Sequence, residues 1–398
     1  MTPARVIGAG LSGLAAAWVL AEAGHEVEVI EAADGPGGLI GSRQTPYGLV
    51  ERAANAFVWN DVTARWFERL RLTPLFASPG SRRRFIFGNG RPRRWPLGVR
   101  DTAILAGRLA FAGARRQLRP RRDESVAQFG HRIAGAGATR KLIGPALQGI
   151  HAAPPEALSA HAIFRHGFPG RRVIAAPAGG MEEFVARLYD QLQDRRVSFT
   201  FGRPADRLDP AVRTILCCGV RHAAPLVAAH APALASALAN TETTPVVTAT
   251  AFFEPHPEDL DGFGVLFPRG CGIAALGCLF NASIFAGRSS LRSETWIYAW
   301  PPSAVGALTP PVDADVRRQL DADRAVATRR DARPVAVFAT HHSPGLPVYG
   351  PAILELGDRL DDRPPWLELL GNYTGRPGVS SLLASAERLT TASRPASA

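Results

Sequence analysis

The sequence predicts a mixed α/β (α+β) fold: a Rossmann-like parallel sheet, a separate large antiparallel sheet and a helical lobe between segments of the first. Three observations carry this. A strand, a glycine-rich turn, an Ala-rich helix and a second strand fill the first thirty residues. Strand-like alternating runs cluster between Val246 and Trp300, and an arginine-studded apolar stretch lies between Leu97 and Gln117.

The opening segment runs Arg5-Val6-Ile7-Gly8-Ala9-Gly10-Leu11-Ser12-Gly13-Leu14 and reaches Glu31 after the alternating strand Val27–Val29. Gly8 permits the tight turn, Gly10 lets backbone N–H groups approach a pyrophosphate, and Gly13 lets the helix pack on the strand. Leu11 and Ser12 stand at that helix N-terminus and join the candidate cofactor contacts. Glu31, about 20 residues on, is placed to accept the adenosine ribose hydroxyls, with Ala32 beside it. A further pair, Gly37-Gly38, suits a pyrophosphate wrapped from two sides, which favours FAD over NAD.

Downstream, Arg84-Phe85-Ile86-Phe87 before Gly88-Asn89-Gly90 reads as a hairpin. Leu97 to Gln117 reads as an amphipathic helix with a basic face. It suits either an anionic membrane interface or packing on its own domain with that face in water. A helix beginning at DESVAQF is expected to take Asp123 as its N-cap, and further helices run to about Gly149 before Pro154-Pro155. Gly179-Gly180-Met181 opens a helix to about Gln193. Strands near Val197–Phe201 and Thr214–Cys218 then return to the nucleotide-binding sheet. Val246–Phe253, Gly264–Phe267, Ile273–Leu279 and Thr295–Trp300 supply the antiparallel sheet, Pro301–Arg333 a helix with flexible edges, and the tail after Thr390 is expected to be disordered.

With 398 residues and 46% hydrophobic content, the chain can bury a large core divided into two or three lobes. Cys217, Cys218, Cys271 and Cys278 lack paired spacing and read as buried thiols of a reducing compartment. Among the histidines, His151, His161 and His166 lie near one another without carboxylates or cysteines to complete a metal set, so no metal is expected. The net charge of +11 rests on arginine, Lys141 being the single lysine. It reflects either the codon bias of a GC-rich genome or, in the crowd from Arg82 to Arg122, attraction to lipid headgroups or a polycarboxylate. No aromatic platform or helix-turn-helix pattern accompanies it, which argues against nucleic acid. No signal peptide or apolar run of bilayer length is seen, so an intracellular protein, cytoplasmic or peripheral on the membrane, is expected.

Together these segments resemble the FAD-dependent protoporphyrinogen and coproporphyrinogen oxidases of the flavin amine oxidase superfamily. The resemblance is carried by GAGLSGLAAAWVL with Glu31 and Gly37-Gly38, Leu49-Val50-Glu51-Arg52 to Phe57, and Arg84 through Pro96. It continues through DESVAQF with Gly149 to Ser159, Gly179-Gly180-Met181, GFGVLFPR, Leu276 to Phe285, Leu346-Pro347-Val348-Tyr349 and the closing GNYTGRPGVSS. It implies an FAD-binding domain assembled from 1–78, 171–220 and 346–390, a helical, membrane-touching lobe with part of the substrate domain over 79–170, and the substrate domain proper over 221–345. The tail 391–398 falls outside these domains.

The resemblance implies oxidation of a porphyrinogen in haem biosynthesis by hydride transfer to flavin N5, with oxygen reoxidising the flavin. Arg84 matches the arginine thought to hold a substrate propionate, and Gly371, Asn372, Gly378, Val379 and Ser380 match a turn and helix start beside the flavin ring. A helix N-terminus there would stabilise charge on the reduced ring. No catalytic side chain is assigned, and a homodimer is compatible with the sequence. The chain departs from the family at Ala53-Ala54-Asn55, where Gly-Pro is usual, at Ser381-Leu382-Leu383, where an acid and a cysteine are usual, and at Thr340-His341-His342, which replaces a tryptophan region. Two other readings stay open: an oxidase or desaturase acting on another apolar molecule such as an amine or polyene, and a non-catalytic FAD- or porphyrin-binding protein.

Overall fold

The computed structural model describes residues 3–165, 167, 172–195, 197–299, 313–375 and 378–389. The predicted nucleotide-binding sheet is present as five parallel strands in the order Ser198–Thr200, Glu26–Ile30, Pro3–Ile7, Arg213–Leu216 and Leu367–Leu369. Three distant parts of the chain thus meet in one sheet. Its central strand alternates, with Val6 in the core shared with helix Leu11–Glu22 and Ile7 in the core on the other face. That helix is buried from Leu11 to Leu20, as expected of a helix sandwiched between layers.

The second sheet has seven strands in the order Ala336–Pro347, Thr243–Phe253, Arg292–Ala299, Gly277–Phe280, Gly264–Leu266, Arg84–Gly88 and Arg91–Arg93. The hairpin at Asn89-Gly90 forms as read, both turn residues having positive φ (53° and 72°), the combination that closes a two-residue hairpin. The sheet is not wholly antiparallel, because Gly264–Leu266 runs parallel to the strand beginning at Arg84. The first strand, twelve residues long, was not expected from the sequence. Its His-His-Ser-Pro-Gly stretch carries turn chemistry that masks the strand, and pairing with Thr243–Phe253 outweighs it. Residues 273–276, expected as strand, stay outside it because the Asp323 carboxylate accepts from the N–H groups of Ala274 (3.0 Å) and Ala275 (2.9 Å).

Alternation gives this sheet two unlike faces. Phe85, Phe87, Val247, Ala249, Phe253, Val265, Trp296 and Tyr298 pack under helix Asp313–Thr328, with Val316 and Leu320. The opposite face turns toward the nucleotide-binding sheet: Thr248 and His342 reach the backbone of Arg52, and Phe263 and Leu279 pack on the core around helix Leu11–Glu22.

The helical lobe holds Val99–Ala114, Val126–Ala134, Gly144–His151 and Ala160–Phe164. Asp123 is not the cap of the second. Ser125 is, in a reciprocal capping box: its hydroxyl accepts from Gln128 N–H (3.2 Å) and its own N–H donates to Gln128 Oε1 (2.8 Å). The stretch read as Leu97–Gln117 is helical only over Val99–Ala114, bounded by Gly98 and by Arg116 in a left-handed conformation. The C-terminal edge of the Pro301–Arg333 segment matches a helix ending at Thr328, whereas 301–312, His166 and the tail after Thr390 lie outside the described residues. Among the described residues no helix is long and apolar enough to cross a membrane.

Candidate FAD and substrate site

The glycine turn has the geometry of a pyrophosphate cradle. Gly8, at φ 106°, donates to Ile30 O (2.7 Å), which ties the turn to the next strand. A Cβ on Gly13 would lie 1.7 Å from Gly8 O, so only glycine lets this helix reach the strand. Gly37 donates to Ala9 O (2.9 Å), and the Cα of Gly10 lies 3.1 Å from where a Cβ on Gly38 would stand. The two glycine segments therefore touch. Leu14 N–H is the first to find an intrahelical partner, Gly10 O at 3.0 Å, which leaves the N–H groups of Leu11, Ser12 and Gly13 as the orphan donors of the helix start. The side chains of both Leu11 and Ser12 are buried, and Leu11 can offer only its backbone.

Glu31 lies at the rim of the same turn. Its carboxylate accepts from Ala9 N–H (2.6 Å) on one oxygen and from Ala33 N–H (2.8 Å) on the other. Both oxygens are thereby oriented, and each keeps a lone pair for a ribose hydroxyl. Ala32 is exposed on that rim.

The C-terminal segment closes the far side. Leu370 N–H donates to Leu216 O (3.0 Å), which brings Gly371 and Asn372 to the edge of the parallel sheet. The Tyr349 hydroxyl lies between the carbonyls of Asn372 and Gly375 (2.8 Å to the latter) and fixes this turn. The Asn372 amide is left without a partner among the described residues, and so is the buried Tyr373 hydroxyl. Gly378, at φ 129°, opens helix Val379–Glu387. Ser380 spends its hydroxyl on Val58 O (2.8 Å), so Val379 and Ser380 can offer a cofactor only their first-turn N–H groups.

An adenosine-sided carboxylate, a bare glycine cradle and unpartnered donors follow one another along this seam, and they fit the adenosine, pyrophosphate and ring of an FAD in order. Glu31 would hold the ribose, Gly8 to Gly13 with Gly37-Gly38 the pyrophosphate, and Gly371 and Asn372 with Gly378, Val379 and Ser380 the ring end. Among the described residues no group of three His, Cys, Asp or Glu is arranged for a metal.

Arg84 begins its strand on the face turned toward this seam, its neighbours Phe85 and Phe87 facing away. Its guanidinium stacks on Phe263 at 4.6 Å and has no carboxylate partner among the described residues. Partial desolvation, and then the nearby charge of Arg172, lower its pKa, although the residue as a whole is exposed. On the same sheet face Leu266, Ile297, Ala299 and Val246 lie beside the hydroxyls of Thr248, Thr250 and Thr295, with Ala152 of the helical lobe packed against Val246.

Sequence reasoning missed a buried polar network at the same seam. Arg288, in the loop before strand Arg292–Ala299, reaches Glu51 (3.3 Å), Asn55 Oδ1 (3.2 Å) and Pro177 O (3.3 Å). Asn55 donates onward to Asn281, whose amide bonds Ser293 and Thr295. These partners are up to 237 residues apart, so no local spacing could announce them. Glu51 also accepts from Ser42 Oγ (2.5 Å) and Met181 N–H (3.1 Å), and burial pushes its carboxyl up to about 7.

The chain is 28% identical over 175 residues to coproporphyrinogen III oxidase of Propionibacterium freudenreichii subsp. freudenreichii, covering 40% of this chain and 33% of that protein. It is 23% identical over 403 residues to protoporphyrinogen oxidase 1, chloroplastic, of Arabidopsis thaliana, covering 80% and 74%. The first two curated relatives, the second being the Nicotiana tabacum chloroplastic protoporphyrinogen oxidase, are thus matched over about a third of their length (33% and 31%). In structure it superposes on an Exiguobacterium sp. protein assigned as a protoporphyrinogen oxidase with TM-score 0.81 at 17% identity over 98% of each chain. It superposes on cyclohexylamine oxidase of Brevibacterium oxydans with TM-score 0.71 at 17% identity, over 98% of this chain and 99% of that one. The family model of flavin containing amine oxidoreductases matches residues 11–303, well over half of the chain, and the chain belongs to that family.

Proposed function

We propose that this chain is an FAD-dependent oxidase that dehydrogenates a porphyrinogen, protoporphyrinogen or coproporphyrinogen, with oxygen as the final acceptor. The observation that carries the substrate class is Arg84. An exposed guanidinium stacked on Phe263, without a protein carboxylate among the described residues, on a sheet face that also carries Leu266, Ile297 and Ala299, suits a flat apolar macrocycle bearing carboxylate arms. FAD, when bound, supplies the hydride acceptor. The protein's own part is to hold, orient and dry: Glu31 and the glycine cradle fix the dinucleotide, Arg84 fixes a carboxylate arm, and Leu266, Ile297 and Ala299 exclude water from the face between. Amine oxidation is the weaker reading, since the single lysine, Lys141, is bound to Asp101 at 2.8 Å in the helical lobe.

The test is porphyrin fluorescence from FAD-loaded protein given each reduced porphyrinogen in air, corrected for spontaneous oxidation. Emission well above the blank is expected, and a flat trace from yellow protein would overturn the proposal. Arg84→Ala should raise KM about tenfold or more with little change in kcat, because a lost charge-assisted bond is worth about 1.5–3 kcal/mol. An unchanged KM would remove Arg84 from the site.

We also propose that helix Val99–Ala114 rests on an anionic membrane surface. Of its residues only Ala112 is buried, while Val99 is 91% and Phe111 57% exposed, and Ile104 and Leu109 are exposed as well. Arg100, Arg115, Arg116 and Arg119 are exposed on or just beyond it. Protein should sediment with anionic vesicles at low salt and be released at high salt. Val99→Asp with Phe111→Asp should abolish sedimentation, and an unaffected double variant would refute the contact.

A further inference from the structure

The loop Arg52–Ala56 lies where the two sheets meet. Arg52 N–H donates to Gly41 O (2.8 Å), directly beyond the Gly37–Ile40 turn of the cradle, and Ala54 and Ala56 pack on the core of the parallel sheet. It is therefore next in line after the pyrophosphate position. None of the N–H groups of Ala53, Ala54, Asn55 and Ala56 finds an acceptor among the described residues, although these residues are only partly exposed. Unused donors on a half-buried loop are costly unless a ligand takes them. Ala53 and Ala54 impose no conformation of their own, so something else must hold these donors in place.

Three side chains, two on the second sheet and one in the loop before its strand Arg292–Ala299, do so. The Arg52 carbonyl accepts from both Thr248 Oγ1 and His342 Nε2, each at 2.8 Å. Arg288, with 4% of its side chain exposed, grips Asn55, Glu51 and Pro177 O and stacks on Phe285 at 4.3 Å. Its own backbone is tied to the neighbouring hairpin, Leu49 N–H donating to Arg288 O (3.0 Å) and Ser289 Oγ to Tyr47 O (2.7 Å).

We propose that Arg288 and His342 are positioning residues: by clamping Asn55 and the Arg52 carbonyl they hold the Ala53–Ala56 N–H groups against the isoalloxazine end of FAD. This rests on the FAD reading above. The clamp serves the ring end of the cofactor and not the adenosine end, which distinguishes it from general support of the fold.

The test compares FAD with ADP, which occupies only the adenosine and pyrophosphate positions. Binding of each to apo-protein is titrated calorimetrically for wild type, Arg288→Met and His342→Phe. Arg288→Met is expected to weaken FAD about tenfold, or ~1.4 kcal/mol, and to leave ADP unchanged. His342→Phe should show the same split, more weakly because Thr248 remains, and it carries the test if Arg288→Met fails to fold. Equal weakening of both ligands, or no change in either, would overturn the proposal. Wild-type protein that bound ADP but not FAD would instead overturn the cofactor reading.

Discussion

Gly13→Ala should cost the protein both its stability and its cofactor, whereas Gly10→Ala should cost the cofactor alone. A Cβ on Gly13 meets Gly8 O at 1.7 Å and Gly8 C at 2.9 Å, and these are backbone atoms held in place by the bond from Gly8 N–H to Ile30 O. The helix must therefore lift off the strand, loosening Leu14, Ala17 and Trp18 in the largest core. Over-packing of this kind costs roughly 1–3 kcal/mol or more, set against about 1 kcal/mol regained from helix propensity. A loss of about 2 kcal/mol or more in urea unfolding of the apo-protein is expected, with no FAD retained. Gly10 differs, because its Cβ would be 3.8 Å from Gly38 Cα, an ordinary contact. Apo stability should hold within about 0.5 kcal/mol, as for substitutions that disturb no packing. The methyl group would nevertheless stand between the helix N-terminus and the pyrophosphate, so FAD affinity should fall about a hundredfold, with the loss of charge-assisted bonds. A Gly10→Ala protein that stays fully yellow would show that the dinucleotide lies elsewhere.

The contrast explains why so much of this end was legible in the sequence. Close approach and positive φ impose glycine at fixed offsets, and Glu31, the acid proposed for the ribose, follows one strand later, so spacing alone points to the cradle. Alternation in Val246–Phe253 and the Asn89-Gly90 turn likewise declare themselves locally. The capping residue was displaced by two positions because Asp123 and Ser125 both suit an N-cap, and only the reciprocal partner, Gln128, decides between them. The clamp was invisible for a different reason. Arg288 lies 237 residues from Glu51 in sequence, and an arginine in an arginine-rich chain carries no signal until the fold gives it a buried carboxylate. His342 was noticed only as a departure from a tryptophan region; its bond to Arg52 O accounts for a ring N–H donor there.

The buried ionisable groups lead to an opposed pH dependence. Burial raises the Glu51 carboxyl from 4.5 to about 7 against the pull of Ser42 and Arg288, and lowers His151 from 6.5 to about 4. Between pH 4.5 and 7 the folded protein holds the Glu51 proton more tightly than the unfolded chain, so this group's contribution to stability falls as pH rises. Between pH 4 and 6.5 the unfolded chain holds the His151 proton more tightly, so that contribution rises with pH. Each is worth about 3 kcal/mol across its window, because one pKa unit is about 1.4 kcal/mol and both side chains are almost wholly buried. In the wild-type apo-protein the two largely cancel from pH 4.5 to 6.5. Glu51→Gln keeps an acceptor for Ser42 and Met181 and leaves His151 unopposed; relative to wild type, its stability should climb with pH over that span. His151→Phe retains the ring contact with Tyr349, at 5.1 Å between centroids, and leaves Glu51 unopposed, so its stability relative to wild type should decline from pH 4 to 6.5. Urea unfolding of the three proteins at several pH values reads the differences directly, and other titrating groups cancel in the subtraction. If both variant curves ran parallel to the wild type, neither group would be held away from its ordinary pKa in the fold, and the dry environment inferred for Glu51 beneath the flavin-side loop would be wrong.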